Sequence, residues 1–127
     1  MVQLAAFRHV ALGGAVGALC RWGVLGLVAA DRADEATLAI NVVGSFLLGL
    51  FVGMRLTRAD TQRLTHSQFL ALGTGFCGAL TSFSTFALQV ARFLDAGEPL
   101  PALTAGLATP VLTVVLAGIG YRIGSRP

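Results

Sequence analysis

Hydroxyl and amide side chains cluster with glycines inside one long apolar stretch, residues 67–91. The segment GALTSFSTFALQV, residues 78–90, holds five such side chains between and beside two phenylalanines. Glycines and hydroxyls at membrane depth are typical of a broken helix, because the freed backbone groups must find partners in protein or in a water-filled cavity. We predict an interruption bracketed by Gly78 and Thr81, near the middle of the stretch.

The predicted break offers two kinds of ion chemistry. Backbone carbonyls freed by an interruption are good ligands for a hard cation. Phe83 and Phe86 are three residues apart and project from one helical face, beside the hydroxyls of Ser84 and Thr85. The positive edges of aromatic rings can meet an anion. The alternative is that both rings pack against lipid or neighbouring helices.

Other polar or sulfur-bearing side chains lie in the remaining apolar stretches. Asn41 needs hydrogen-bond partners or water, so it either ties helices together or lines a wet path. Arg21 either attracts an anion or extends its long side chain to the membrane interface. Cys20 and Cys77 have no His or acidic neighbour in the sequence, and we interpret both as small buried hydrophobic residues.

The elements that position these residues are membrane helices. The chain has 127 residues, of which 55% are hydrophobic and 12% charged, and its mean hydropathy is +0.78. A membrane-spanning helix needs roughly 20 apolar residues. Four stretches meet this length, at about 10–30, 36–56, 67–91 and 99–121. We predict an all-α integral membrane protein with one four-span domain over residues 1–127, whose third helix is broken near the midplane.

The arginines are distributed unequally between the two sides of such a protein. The chain has nine basic residues, all arginine, and they lie mainly at the ends of the spans, which indicates membrane orientation rather than nucleic-acid binding. One side carries Arg32 and Arg92 among acidic residues. The other side, with both termini, carries Arg8, Arg55, Arg58, Arg63, Arg122 and Arg126. The positive-inside rule places that second side in the cytoplasm.

Three segments together resemble the Fluc family of bacterial fluoride-specific ion channels. They are GGAVGALCRW in the first stretch, TLAINVVGSFLLG in the second and GTGFCGALTSFSTF in the third, in the order and spacing of the family. The resemblance implies a multi-pass protein of the bacterial plasma (inner) membrane that exports fluoride passively and is not an enzyme. It also implies an antiparallel, dual-topology homodimer with two fluoride pores and a structural sodium ion that is not transported.

The resemblance also assigns roles to individual residues. The backbone carbonyls of Gly78 and Thr81, from both subunits, would hold the sodium ion. Asn41 would donate to fluoride, and the ring edges of two phenylalanines would meet the ion beside a track of hydroxyls. The implied pore residues are Asn41, Phe83, Phe86, Ser84, Thr85 and Thr109. Ser82 receives no defined role, and Gln89 is placed at a pore mouth.

Three features depart from the family pattern. The first is mild: Ala79 and Ser82 stand where a second glycine and a threonine are often found. Ala105 and Thr109 stand where a Tyr and a Ser are expected in the fourth span, although Thr109 and Thr113 still offer hydroxyls one turn apart. The arginine bias of six against two is large for a protein that inserts in both orientations. The partner is therefore either a second antiparallel copy or an oppositely oriented homologous subunit.

Two other functions are compatible with four short helices. A proton-coupled multidrug exporter needs a titratable carboxylate within the membrane, but none of the six acidic residues lies inside a predicted span. A non-transporting scaffold subunit would gain nothing from a broken helix and polar residues at the midplane. The sequence favours the channel.

Overall fold

The first two spans are continuous helices. The computed structural model describes residues 2–56 and 63–126. Helix α1 spans Val2–Leu27, and a 3₁₀ turn at Ala30–Arg32 leads into α2, Ala33–Leu56. Arg58, which the sequence analysis placed on the basic side, lies outside the described residues.

The third span is built from several pieces. It begins with α3 (His66–Phe69), widens into a π-helical segment (Leu70–Cys77) and ends its first half with α4 (Gly78–Leu80). The second half is α5 (Phe83–Asp95). After a turn at Gly97, whose φ is 73°, α6 runs over Pro99–Gly124 with proline in its first turn, where a missing amide costs no hydrogen bond.

The membrane architecture predicted from the sequence is confirmed. Within the described residues, four helical segments are long and apolar enough to cross a membrane: Leu4–Leu27, Ala30–Leu56, His66–Asp95 and Pro99–Gly124. Every regular element in these ranges is helical. The break in the third span falls near the middle of its segment, as predicted.

Glycines allow the helices to approach closely in two pairs. In the first pair, a Cβ on Gly13 would overlap the Ala71 carbonyl, so α1 lies directly against the π-helical segment. In the second pair, a Cβ on Gly49 of α2 would overlap the Ala117 carbonyl, and one on Gly120 of α6 would overlap Phe46. Small residues let the helix backbones pack closely. This packing stabilises helix contacts within lipid, where the hydrophobic effect does not hold helices together.

The interior left between these helices is small, and most large apolar side chains point outward. Trp22, for example, is 75% exposed. Such an apolar exterior suits a lipid environment rather than water. Cys77 is buried as predicted, whereas Cys20 is exposed on α1, so the prediction that both cysteines are buried was wrong for Cys20. The reason is that the small residues Gly13 and Gly17 form the contact face of α1.

Candidate functional site

The third span is interrupted at Thr81 and Ser82, which we call the break. Both residues have extended backbone conformations, with φ −78° and ψ 156° at Thr81 and φ −144° and ψ 106° at Ser82. Asn41 of α2 pairs with the Ser82 peptide: its Nδ2 donates to the Ser82 carbonyl at 3.2 Å, and the Ser82 amide donates to its Oδ1 at 2.8 Å. Asn41 is buried, at 7% exposure, so this side chain satisfies both backbone groups of Ser82.

Thr81 is held by hydrogen bonds with α1 and with its own span. The Nη1 of Arg21, on α1, donates to the Thr81 carbonyl oxygen at 3.3 Å. The Thr81 hydroxyl and the Thr81 amide both donate to the Cys77 carbonyl, at 3.0 and 3.1 Å. The break is therefore fixed from α1 and α2, and the guanidinium of Arg21 contacts protein at this depth.

The break lies slightly later than the sequence predicted. Gly78 has helical angles, φ −63° and ψ −33°, and α4 continues to Leu80, so the turn is not bracketed by Gly78 and Thr81. The reason is that Asn41 captures the Ser82 amide, which in a continuous helix would donate to the Gly78 carbonyl. That carbonyl and the Thr81 carbonyl therefore both lie outside the regular helical ladder.

A cavity of about 200 Å³ opens beside the break. It brings together four of the six predicted pore residues, Asn41, Phe83, Phe86 and Thr109, with Thr81. Thr113, whose hydroxyl was expected one turn from that of Thr109, also lines the cavity, as do Ser45 and Pro110, to which the sequence gave no pore role. Ser45 lies four residues after Asn41, on the same face of α2, and this spacing could have revealed it.

The two predicted ring residues have different environments. Phe86 is buried, at 9% exposure, whereas Phe83 is 79% exposed. Their ring centroids are 5.7 Å apart, and the ring planes are tilted by 55°. The structure thus places both rings at one cavity, with Phe83 extending away from the rest of the chain.

Ser84 and Thr85 do not line this cavity, and their hydroxyls meet at Ser82. The Ser82 Oγ lies 2.7 Å from the Thr85 Oγ1 and 3.3 Å from the Ser84 Oγ. It also accepts from the Thr85 amide at 3.2 Å, which makes Ser82 the N-cap of α5. This role was not predicted from the sequence, although a serine just before a helix is a common capping signal.

A second cavity of about 290 Å³ shares Thr109 with the first. Gln89, predicted at a pore mouth, lines it with Ala105, and Asp34 and Glu35 supply acidic groups. Pro110, which lines the first cavity, lies inside α6. Because proline has no amide hydrogen, the carbonyl four residues earlier, at Gly106, loses its helical partner.

The described residues contain no group of three or more His, Cys, Asp or Glu side chains that could hold a metal ion. The oxygen atoms near the break that lie outside the helical ladder include two backbone carbonyls, those of Gly78 and Thr81. Gly78 is exposed, and a Cβ there would meet no atom within 4 Å. Its carbonyl and that of Thr81 are neutral oxygen donors of the kind that suits a hard cation.

Comparison with known proteins identifies relatives over nearly the whole length. A model of the CrcB-like protein, Camphor Resistance (CrcB) family matches residues 8–121. The Pyrococcus furiosus protein named fluoride-specific ion channel FluC is 37% identical, over 94% of this chain and 98% of its own length. Fluoride-specific ion channel FluC 2 of Haloarcula marismortui is 38% identical, over 98% and 96%. FluC 2 of Rhodococcus jostii is 37% identical, over 91% and 96%.

Proposed function

Because this chain belongs to the CrcB family, we propose that it is a fluoride-specific ion channel of the plasma membrane. It lets fluoride leave the cytoplasm passively and thereby lowers fluoride toxicity, and it acts as a channel rather than an enzyme. The observation that carries this proposal is the cavity at the break, where the buried Asn41 amide, the Thr109 hydroxyl and two aromatic rings converge. Relatives of nearly equal length carry the name fluoride-specific ion channel.

The residues around the cavity suit a small, strongly hydrated anion. Fluoride must exchange its water for close donors as it enters a narrow path, because an unpaired ion is costly to bury. The hydroxyls of Ser45, Thr109 and Thr113 lie around the cavity with the Asn41 amide. The rings of Phe83 and Phe86 offer positive edges. Ser84 and Thr85 would continue the polar track through the Ser82 hydroxyl.

A second subunit is needed to enclose the path. Phe83 is 79% exposed, so a single chain leaves one side of this ring uncovered. Gly78 is likewise open. We propose that a second copy in antiparallel orientation covers both residues and forms a homodimer with two pores. The unequal arginine distribution keeps an oppositely oriented homologous subunit as the other candidate partner.

A cysteine introduced near each terminus would decide between the two partners. In membrane vesicles, a dual-topology homodimer exposes each terminus on both sides, so an impermeant thiol reagent labels part of the population from either side. Because Cys20 is exposed on α1, the experiment uses a Cys20→Ser background. Labelling from one side only would favour the paired heterodimer.

We also propose that a structural sodium ion lies between the two subunits. The Gly78 and Thr81 carbonyls would hold it, contributed by both copies. Sodium is an oxygen-seeking cation, and these carbonyls are displaced from the helical ladder beside the break. The ion would neutralise the converging carbonyl dipoles and keep the two breaks together.

Ion efflux from proteoliposomes tests the proposed function. We expect rapid fluoride efflux and negligible chloride efflux under the same gradient. Equal efflux of both ions would contradict fluoride specificity, and efflux of neither ion would contradict the channel and favour a scaffold subunit. A proton-coupled exporter would instead need an acidic residue in the membrane, whereas Asp34 and Glu35 lie in the first turn of α2 and Asp95 ends α5.

A further inference from the structure

A positive charge lies directly behind the break. Arg21 is half-buried, and its guanidinium donates to the Thr81 carbonyl oxygen at 3.3 Å. Helix α1 carries no acidic residue, so no carboxylate on its own helix neutralises this charge. The Thr81 carbonyl is one of the two oxygens that we assign to the structural cation.

We infer that Arg21 determines the charge selectivity of that cation site, so that it accepts a monovalent cation and rejects divalent ones. The inference rests on the proposed function, because it uses the carbonyl site between two copies. Both groups can use the same oxygen: a carbonyl has two lone pairs, so Thr81 can accept from Arg21 and still ligate a cation.

Selectivity must come from outside the ligands themselves. The carbonyls of Gly78 and Thr81 are neutral, and carbonyl oxygens bind sodium, calcium and magnesium alike. Sites for divalent cations usually include carboxylates, which offset the second charge. Here the nearest ionised group with a known contact to the site is a cation, and its repulsion grows with the charge of the bound ion.

The expected size of this effect follows from the observed hydrogen bond. A cation bound to the Thr81 oxygen at about 2.4 Å lies no more than about 6 Å from the Arg21 Nη1, because the hydrogen bond adds 3.3 Å. With an effective dielectric constant of about 20, repulsion between unit charges at that distance lowers affinity about a hundredfold. For a divalent cation the repulsion energy doubles, so its affinity falls by the square of this factor. The Arg21 of a second copy adds to the repulsion.

Cation binding to the purified protein tests this inference without relying on fluoride transport. The thermal unfolding midpoint is measured in sodium, calcium or choline chloride at matched ionic strength. Wild type and Arg21→Lys, which keeps the charge, should be stabilised by sodium but not by calcium. Arg21→Gln should be stabilised by calcium, and its half-maximal sodium concentration should fall at least tenfold. Arg122→Gln removes the same charge from the exposed end of α6 and should behave as wild type.

Three outcomes would overturn the inference: a folded Arg21→Gln protein with the cation preference of wild type, an Arg122→Gln protein that also gains calcium binding, or no cation response in any variant. If Arg21→Gln does not fold, the wild-type protein alone tests the inference. Stabilisation of wild type by calcium, at concentrations equal to or below those at which sodium stabilises it, would refute the inference. Fluoride efflux is measured separately. Fluoride-selective efflux with no effect of Arg21 on cation preference would reject this inference and keep the channel.

Discussion

Asn41→Leu removes the side chain that holds the break from α2. The substitution keeps a similar volume but removes the donor to the Ser82 carbonyl at 3.2 Å and the acceptor of the Ser82 amide at 2.8 Å. Since Asn41 is buried at 7% exposure, water cannot easily replace the lost partners. The variant leaves both backbone groups of Ser82 without the partner that the native structure supplies.

The expected loss of stability follows from these two hydrogen bonds. Interhelical hydrogen bonds within membranes contribute about 0.6 kcal/mol on average and up to about 1.7 kcal/mol. The two bonds together therefore contribute about 1–3 kcal/mol. Because an unpaired buried peptide group costs about 1–3 kcal/mol by itself, we expect Asn41→Leu to lie at the upper end of this range. Fluoride efflux should fall at least tenfold, since the break and the cavity change together.

Unfolding in detergent and fluoride efflux from proteoliposomes are measured on the same preparations. Ser45→Ala is the matched control, because Ser45 lines the same cavity from the same helix without pairing with Ser82. It should unfold as wild type does. Asn41→Asp keeps the Oδ1 acceptor, but it replaces the donor to the Ser82 carbonyl with a second acceptor and buries a negative charge. It should therefore lose at least as much stability as Asn41→Leu, and it should also lose efflux. Wild-type stability and efflux in Asn41→Leu would refute the assigned role of Asn41 at the break.

Three other substitutions test separate parts of the fold and the site. Gly49→Val should destabilise the protein by about 1–3 kcal/mol, because its Cβ overlaps the Ala117 carbonyl; unchanged unfolding would contradict this close helix contact. Phe86→Ile should lower stability by about 1 kcal/mol, because Phe86 is only 9% exposed, whereas Phe83→Ile should not, because Phe83 is 79% exposed. Each substitution should reduce fluoride efflux at least tenfold. Unchanged efflux in both would mean that the rings only pack. Ser82→Ala should cost about 1 kcal/mol through the lost cap of α5, and an unfolding midpoint equal to that of wild type would reject the cap.

Local patterns were sufficient to predict the architecture. Each span is a predominantly apolar run, and a run of that length forms a helix in lipid because backbone groups have no other partner there. The broken third span was also visible locally, through glycines and hydroxyls that no lipid-facing helix needs. The exposure of Cys20 could not be predicted from the local sequence, because the face that a membrane helix buries depends on the neighbouring helices.

Details of the candidate site depended on residues that are far apart in the chain. The family resemblance identified Asn41, Phe83, Phe86 and Thr109, and the structure brings these four to one cavity. Their assignment as pore residues stays a prediction. The capping role of Ser82 and the cavity position of Ser45 were missed, because a hydroxyl in an apolar run has several possible partners until the neighbouring helices are placed.

The amino-acid sequence alone specifies a four-span membrane protein with an interrupted third helix, since length and apolar composition decide whether a segment enters lipid. The position of the interruption and the groups that hold it depend on contacts between helices. Asn41 is 41 positions before Ser82, and Arg21 is 60 positions before Thr81. Their hydrogen bonds satisfy the opened peptides from two other helices, and no pattern within the third span contains that information.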